Sequence, residues 1–110
     1  MDFPIIFDED RLSAVCRRYG IRVMEAFGSV LREDFDPQRS DLDVLVLYHH
    51  AHELQNDDQP LKGLAAITGL RDELAQVFGR RVDVVNAATI ENPFFFAEAM
   101  KNRRRLYAAA

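Results

Sequence analysis

Sulfur chemistry has almost no foothold in this sequence: Cys16 is the sole cysteine among 110 residues. An internal disulfide is therefore impossible, and a cysteine-based zinc site lacks ligands. Long apolar runs are also missing. None approaches the roughly 20 residues needed to cross a bilayer. The opening Met1-Asp2-Phe3-Pro4 has no basic flank of the kind that directs export. These absences predict a cytoplasmic chain without a membrane association. Positive charge is not in excess either. The formal net charge of −4 argues against direct, broad nucleic-acid binding, which depends on basic surface neutralising phosphates. A small anionic substrate carried with Mg²⁺ stays compatible.

What is present suits one packed domain spanning residues 1–110, since nearly half of the residues are apolar. From Asp8 to Tyr19 the residues Leu12, Val15, Cys16 and Tyr19 recur at helical spacing, with Asp8 as N-cap and Gly20 as stop. Arg22–Phe27 reads as a strand that ends at Gly28, where a brief helix begins. A polar loop, Asp34–Ser40, leads into the apolar run Asp41–Tyr48, a buried strand opened by acids. His49–Pro60 reads as an exposed loop. Leu64, Ile67, Leu70, Leu74, Val77 and Phe78 then mark the longest helix, up to Gly79. Arg81–Asn86 is a valine-rich third strand. A last helix is expected from Asn92-Pro93 to about Tyr107, because Asn caps well and Pro suits the first helical position. The predicted fold class is a small α/β (α+β) domain, with a mixed sheet of about three strands flanked by helices.

The chemistry concentrates in acids placed where acids are costly. Residues two apart on a strand share a face, so Asp41 and Asp43 project together while Leu42 turns away. Two anions on a mostly apolar strand repel and are desolvated unless a cation lies between them. Mg²⁺ suits that position, since it takes one or two carboxylates plus phosphate oxygens and water. Asp83, an isolated acid between Val82 and Val84, repeats the anomaly. In a two-metal site Asp41 and Asp43 bridge both ions, and Asp83 binds the ion that activates the attacking hydroxyl. Gly28-Ser29 adds a turn where backbone N–H groups and a hydroxyl can meet a polyphosphate.

In these residues the chain resembles the polymerase-beta-type nucleotidyltransferases: Phe27-Gly28-Ser29, then Arg32, then Ser40-Asp41-Leu42-Asp43-Val44 look like that family's signature. Chain length, Asp83 and the Asn92-Pro93 segment resemble its smallest members, the minimal nucleotidyltransferase (MNT) antitoxins. The resemblance implies a nucleotidyltransferase fold, ATP as substrate and a two-ion Mg²⁺ site on Asp41, Asp43 and Asp83. It implies nucleotide contacts from Gly28, Ser29, Arg32 and Ser40. It also implies a HEPN-domain ribonuclease toxin as partner, with AMP passing to a tyrosine hydroxyl and pyrophosphate leaving. Two departures favour an alternative, an antitoxin that acts by binding alone. The connection from Val30 to Ser40 is one residue longer than usual, and Glu33 stands where the family often has Gly. A third reading, transfer to a small molecule, meets the difficulty that so short a chain has little room for an acceptor domain.

The remaining features favour plainer roles. His49, His50 and His52 lack a second ligand cluster and read as a solvated loop. Cys16 lies on the apolar face of its helix and reads as a small core residue. Phe94, Phe95 and Phe96 cannot all enter one narrow helical face, so a partner surface and a tuck under a loop both remain open. Arg103-Arg104-Arg105 reads as the solvated end of the last helix, where cations suit the dipole.

Overall fold

In a computed structural model the described residues are 3–32, 35–36, 38, 40–49, 60–87, 97 and 101–109, with backbone alone for 60–67. Helix α1 (Glu9–Arg18) starts where Asp8 accepts hydrogen bonds from the Asp10 and Arg11 N–H groups, at 2.9 and 3.2 Å. Acids in its first turn and Arg17 and Arg18 in its last complement the helix dipole. Gly20, at φ +70°, then turns the chain through a conformation that L side chains resist. Strand β1 (Ile21–Phe27) follows, then a 3₁₀ turn (Gly28–Leu31) and strand β2 (Leu42–Tyr48). Helix α2 (Pro60–Phe78) leads to strand β3 (Val82–Asn86), and strand β4 spans Arg103–Ala108.

The four strands form one sheet in the order β3-β2-β1-β4. β1 runs antiparallel to both β2 and β4, whereas β2 and β3 are parallel and are joined through α2. A parallel pair needs such a crossover, because no tight turn can return the chain to the same end. Leu12, Val15 and Cys16 of α1, with Leu70, Leu74, Val77 and Phe78 of α2, pack with Met24, Ala26, Val44 and Val46 in the main core. The two helices are clasped at their edge. Glu73 takes an ion pair from Arg18 and a hydrogen bond from the Tyr19 hydroxyl, and both hold its carboxyl below the ordinary value. A Cβ on Gly69 would stand 2.7 Å from the Tyr19 hydroxyl, so a larger residue here would push the end of the Tyr19 side chain aside.

The sequence reading needs one correction, at the C-terminal end. Residues 103–108 form a strand rather than the end of a helix, which raises the strand count from three to four. Ala97 and Lys101 do have helical backbone; Asn92-Pro93 and Phe94–Phe96 lie outside the described residues. β4 shows no alternation because its pairing with β1 shifts register between Met24 and Glu25, which breaks the period of two. Arg and Ala also favour helices in isolation. Pairing with β1 overrides that preference, and Leu106 and Tyr107 gain contact with the core.

Replacing Asp8 by Ala removes the cap of α1 and is expected to lower stability by about 1 kcal/mol. Leu74→Ala, at a position with no solvent exposure, is expected to cost about 2–5 kcal/mol. Urea unfolding followed by circular dichroism measures both. Equal effects from the two changes would contradict the placement of Leu74 in the core.

Candidate active site

Strand register brings the sequence-predicted residues to one end of the sheet. Phe27, the last residue of β1, pairs with Asp43 on one side and with Arg103 on the other. Asp43 in turn pairs with Asp83. Paired residues on neighbouring strands point to the same side of a sheet, and strands lie about 4.8 Å apart. Arg103, Phe27, Asp43 and Asp83 therefore form one row on the face opposite the helices. Behind the acids on this face, Phe27 and Leu45 are buried in a second small cluster, with Val85 and Ala87 packed against them.

Gly28 follows Phe27 at φ +75°, in the left-handed region. A Cβ built there would lie 3.1 Å from Asp43 Oδ2, which is tighter than ordinary van der Waals contact. Glycine thus serves twice, in making the turn and in leaving the Asp43 carboxylate its space. Ser29 lies in the next step of the 3₁₀ turn, and its carbonyl accepts the Arg32 N–H at 3.0 Å. Arg32 is exposed at the end of that turn.

The acids strain one another. Burial pushes the Asp43 carboxyl above its ordinary value, and the Asp83 and Asp41 carboxylates push it further, while Arg32 partly opposes them. Arg81 offers a protein cation nearby. Its Nε lies 3.6 Å from Asp83 Oδ1 and 3.9 Å from Asp41 Oδ2. Among the described residues no three His, Cys, Asp or Glu side chains already enclose a cation position. The donors are nonetheless carboxylate oxygens, which Mg²⁺ prefers. The burial and repulsion at Asp43 are what a cation would relieve.

Ser40 occupies a different setting from the other predicted contacts. Its backbone N–H donates to Asp36 O at 2.9 Å, and its hydroxyl oxygen accepts the Asp36 N–H at 3.1 Å. This closes the loop before β2. Arg80 holds the same loop, donating from Nη1 to Ser40 O at 3.2 Å while its guanidinium lies 5.5 Å from the centre of the Phe35 ring. The Leu42 N–H donates to Arg81 O at 3.0 Å and begins the parallel ladder. Sequence reasoning overlooked Arg80 and Arg81. The available signal was two adjacent arginines directly ahead of a strand that carries a lone acid. His49 is exposed in a turn, and His50, His52 and Glu33 lie outside the described residues. Burial pushes the Cys16 thiol up to about 12, so it stays protonated and unreactive in the core.

The family model described as "Nucleotidyltransferase domain" matches residues 9–106. The chain belongs to this family. Nucleotidyl transfer is accordingly its class of reaction, and its mixed four-stranded sheet has the nucleotidyltransferase fold. No curated protein is close enough in sequence to match it. Among solved structures, the chain resembles one described as a minimal nucleotidyltransferase, at 24% identity and a TM-score of 0.62, covering 86% of this chain and 85% of that one. It also resembles a toxin-antitoxin structure with AMP-PNP, at 19% identity and a TM-score of 0.63, covering 93% of this chain and 74% of that one. A third is the complex of a tri-AMPylated Shewanella oneidensis HEPN toxin with an MNT antitoxin, at 19% identity and a TM-score of 0.58, covering 92% and 70%. Among the described residues no helix is long and apolar enough to cross a membrane.

Gly28→Ala combines left-handed backbone strain with crowding of Asp43, and is expected to destabilise the protein by about 1–2 kcal/mol. Its urea midpoint measures this, and an unchanged midpoint would remove the steric argument. Asp43→Asn is expected to stabilise the metal-free protein near neutral pH. Because the folded-state value of Asp43 lies above its unfolded value, the parent loses stability as pH rises between the two values. The advantage of Asn should therefore shrink as pH falls below about 4, the ordinary carboxylate range. Denaturation in EDTA at both pH values tests it, and no gain at neutral pH would show that Asp43 bears no burden.

Proposed function

We propose that this protein is an MNT-type antitoxin, which transfers AMP from Mg-ATP to a tyrosine hydroxyl of a HEPN-domain toxin and so neutralises it. The observation that carries this reading is the Asp43–Asp83 pair facing across β2 and β3, with Gly28 held against Asp43. The likeness to a toxin-antitoxin structure with AMP-PNP and to the tri-AMPylated HEPN complex supports the choice of nucleotide and acceptor. ATP, a protein partner and a reduced Cys16 suit a cytoplasmic setting.

In this mechanism the Gly28 and Ser29 backbone N–H groups and the Ser29 hydroxyl hold the triphosphate, with Arg32 adding a positive charge beside it. Ser40 contributes by fixing the loop that delivers Asp41. Asp41, Asp43 and Asp83 would be the carboxylates that hold the Mg²⁺ ions, with Asp83 nearest the acceptor. Bound there, Mg²⁺ would supply the positive charge that stabilises the attacking and leaving oxygens. The acceptor oxygen bonds to the α-phosphorus while the bond to the β-phosphate oxygen breaks, and pyrophosphate departs. The acceptor proton passes to solvent or to a neighbouring carboxylate. The row of acids thus provides positioning and charge rather than a covalent intermediate.

A binding-only antitoxin is the second reading. The Arg81 guanidinium near Asp41 and Asp83 favours it, because it gives these acids a protein counter-ion. The two readings separate in one experiment, in which a HEPN-domain toxin that this protein neutralises is incubated with it, labelled ATP and Mg²⁺. Asp41→Ala and Asp43→Ala are each expected to reduce labelling to background and to abolish neutralisation. Labelling at the parent level would overturn the assignment of the acids. Loss of labelling with full neutralisation would establish the binding-only antitoxin.

A further inference from the structure

Arg81 stands directly before β3, and the register that aligns Leu42 with Val82 sets it across from Asp41 and two residues from Asp83, on the face of the acid row. Its Nε lies 3.6 Å from Asp83 Oδ1 and 3.9 Å from Asp41 Oδ2. The Arg81 side chain is 71% exposed, against 47% for Asp41 and 42% for Asp83. Ion pairs this solvated are worth little to stability and exchange readily. The main chain here is held, because the Leu42 N–H donates to Arg81 O at 3.0 Å, so the side chain alone has room to move. Asp43 depends on another cation, since the charge that opposes its strain is that of Arg32. The neighbouring Arg80 is engaged elsewhere, with Ser40 O and the Phe35 ring.

We propose that Arg81 is a placeholder cation, which bridges Asp41 and Asp83 while no divalent ion is bound and passes to the triphosphate when Mg-ATP arrives. This role rests on the metal and nucleotide of the function proposed above, and not on its acceptor. A guanidinium and a divalent ion cannot share the space between the same carboxylates, because like charges a few ångströms apart repel. A bare ion therefore has to displace Arg81 and gives it no new partner. Mg-ATP brings phosphate oxygens, which match the forked donors of a guanidinium. Carboxylate and phosphate oxygens on one Mg²⁺ each lie about 2.1 Å from it, so the phosphates come within a short swing of the displaced side chain. The exchange thus opposes the bare ion and favours the ion carried by nucleotide. Arg81 acts as a positioning residue that makes the acids select the complex.

Calorimetric titration of the full chain with Mn²⁺ alone, and separately with the equimolar complex of Mn²⁺ and nonhydrolysable AMP-PNP, tests the exchange. Arg81→Gln is expected to bind Mn²⁺ alone at least about threefold more tightly than the parent, and the complex at least about threefold more weakly. Arg81→Lys keeps the charge and loses the fork. It should match the parent with Mn²⁺ alone and fall short of it with the complex. Asp43→Asn should abolish Mn²⁺ binding with either residue at position 81, which assigns the ion to the acids. Tighter binding of both ligands by Arg81→Gln would reduce Arg81 to simple repulsion and overturn the proposal. Unchanged Mn²⁺ affinity in Arg81→Gln, Mn²⁺ binding that survives Asp43→Asn, or no Mn²⁺ binding by parent and variant alike would overturn it too. Neither titration contains a toxin, so failure of AMP transfer and failure of this exchange are separate results.

Discussion

The parallel pairing of β2 with β3 governs much of what this molecule can do. An Asp43 aligned with Asp83, and a Leu42 aligned with Val82, put acids on one face and core residues on the other. A slip by one residue would reverse both faces, burying the acids beneath the helices and exposing Leu42, Val44 and Val46. The hydrophobic demand of the core therefore sets the geometry of the polar row. Leu42, Val44, Val46 and Val82 are all fully buried, and this fixes the register more firmly than the acids themselves do.

Around that pairing the chain tolerates local conflict at one end of the sheet. Asp43 is strained by burial and by two neighbouring carboxylates, and Gly28 adopts a backbone geometry other residues avoid. The surroundings hold these in place. Arg80 ties the preceding loop to the corner between α2 and β3, and Arg81 sets positive charge beside Asp41 and Asp83. Such local strain, supported by packing elsewhere, is the pattern expected where function and stability compete.

Much of the fold was legible in the sequence because each element carried its own signal. Asp8 and Gly20 bound α1, the apolar period of α2 ran to Gly79, and the valines of β3 stood apart. β4 was hidden for a physical reason: its three arginines lie at a sheet edge, and its pattern is interrupted by a register shift. At the site, the closeness of Asp41 and Asp43 followed from spacing alone. The neighbourhood of Asp43 and Asp83 required the strand order, and the contact of Gly28 with Asp43 required the turn geometry. Ser40, Arg80 and Arg81 act through hydrogen bonds and ion pairs to residues on other elements, which spacing along the chain does not encode.

β1 lies between β2, which follows it closely in sequence, and β4, which comes from far along the chain. Closing the short connection to β2 costs less chain entropy than bringing in β4. During folding the β1–β2 ribbon can thus form early, whereas the arginine-bearing edge docks late. Until then β1 exposes its hydrogen-bonding groups on that side. The basic residues of β4 then matter before the native state is reached as well as after it, since charge on the last strand to dock discourages the sheet edge from pairing with another molecule.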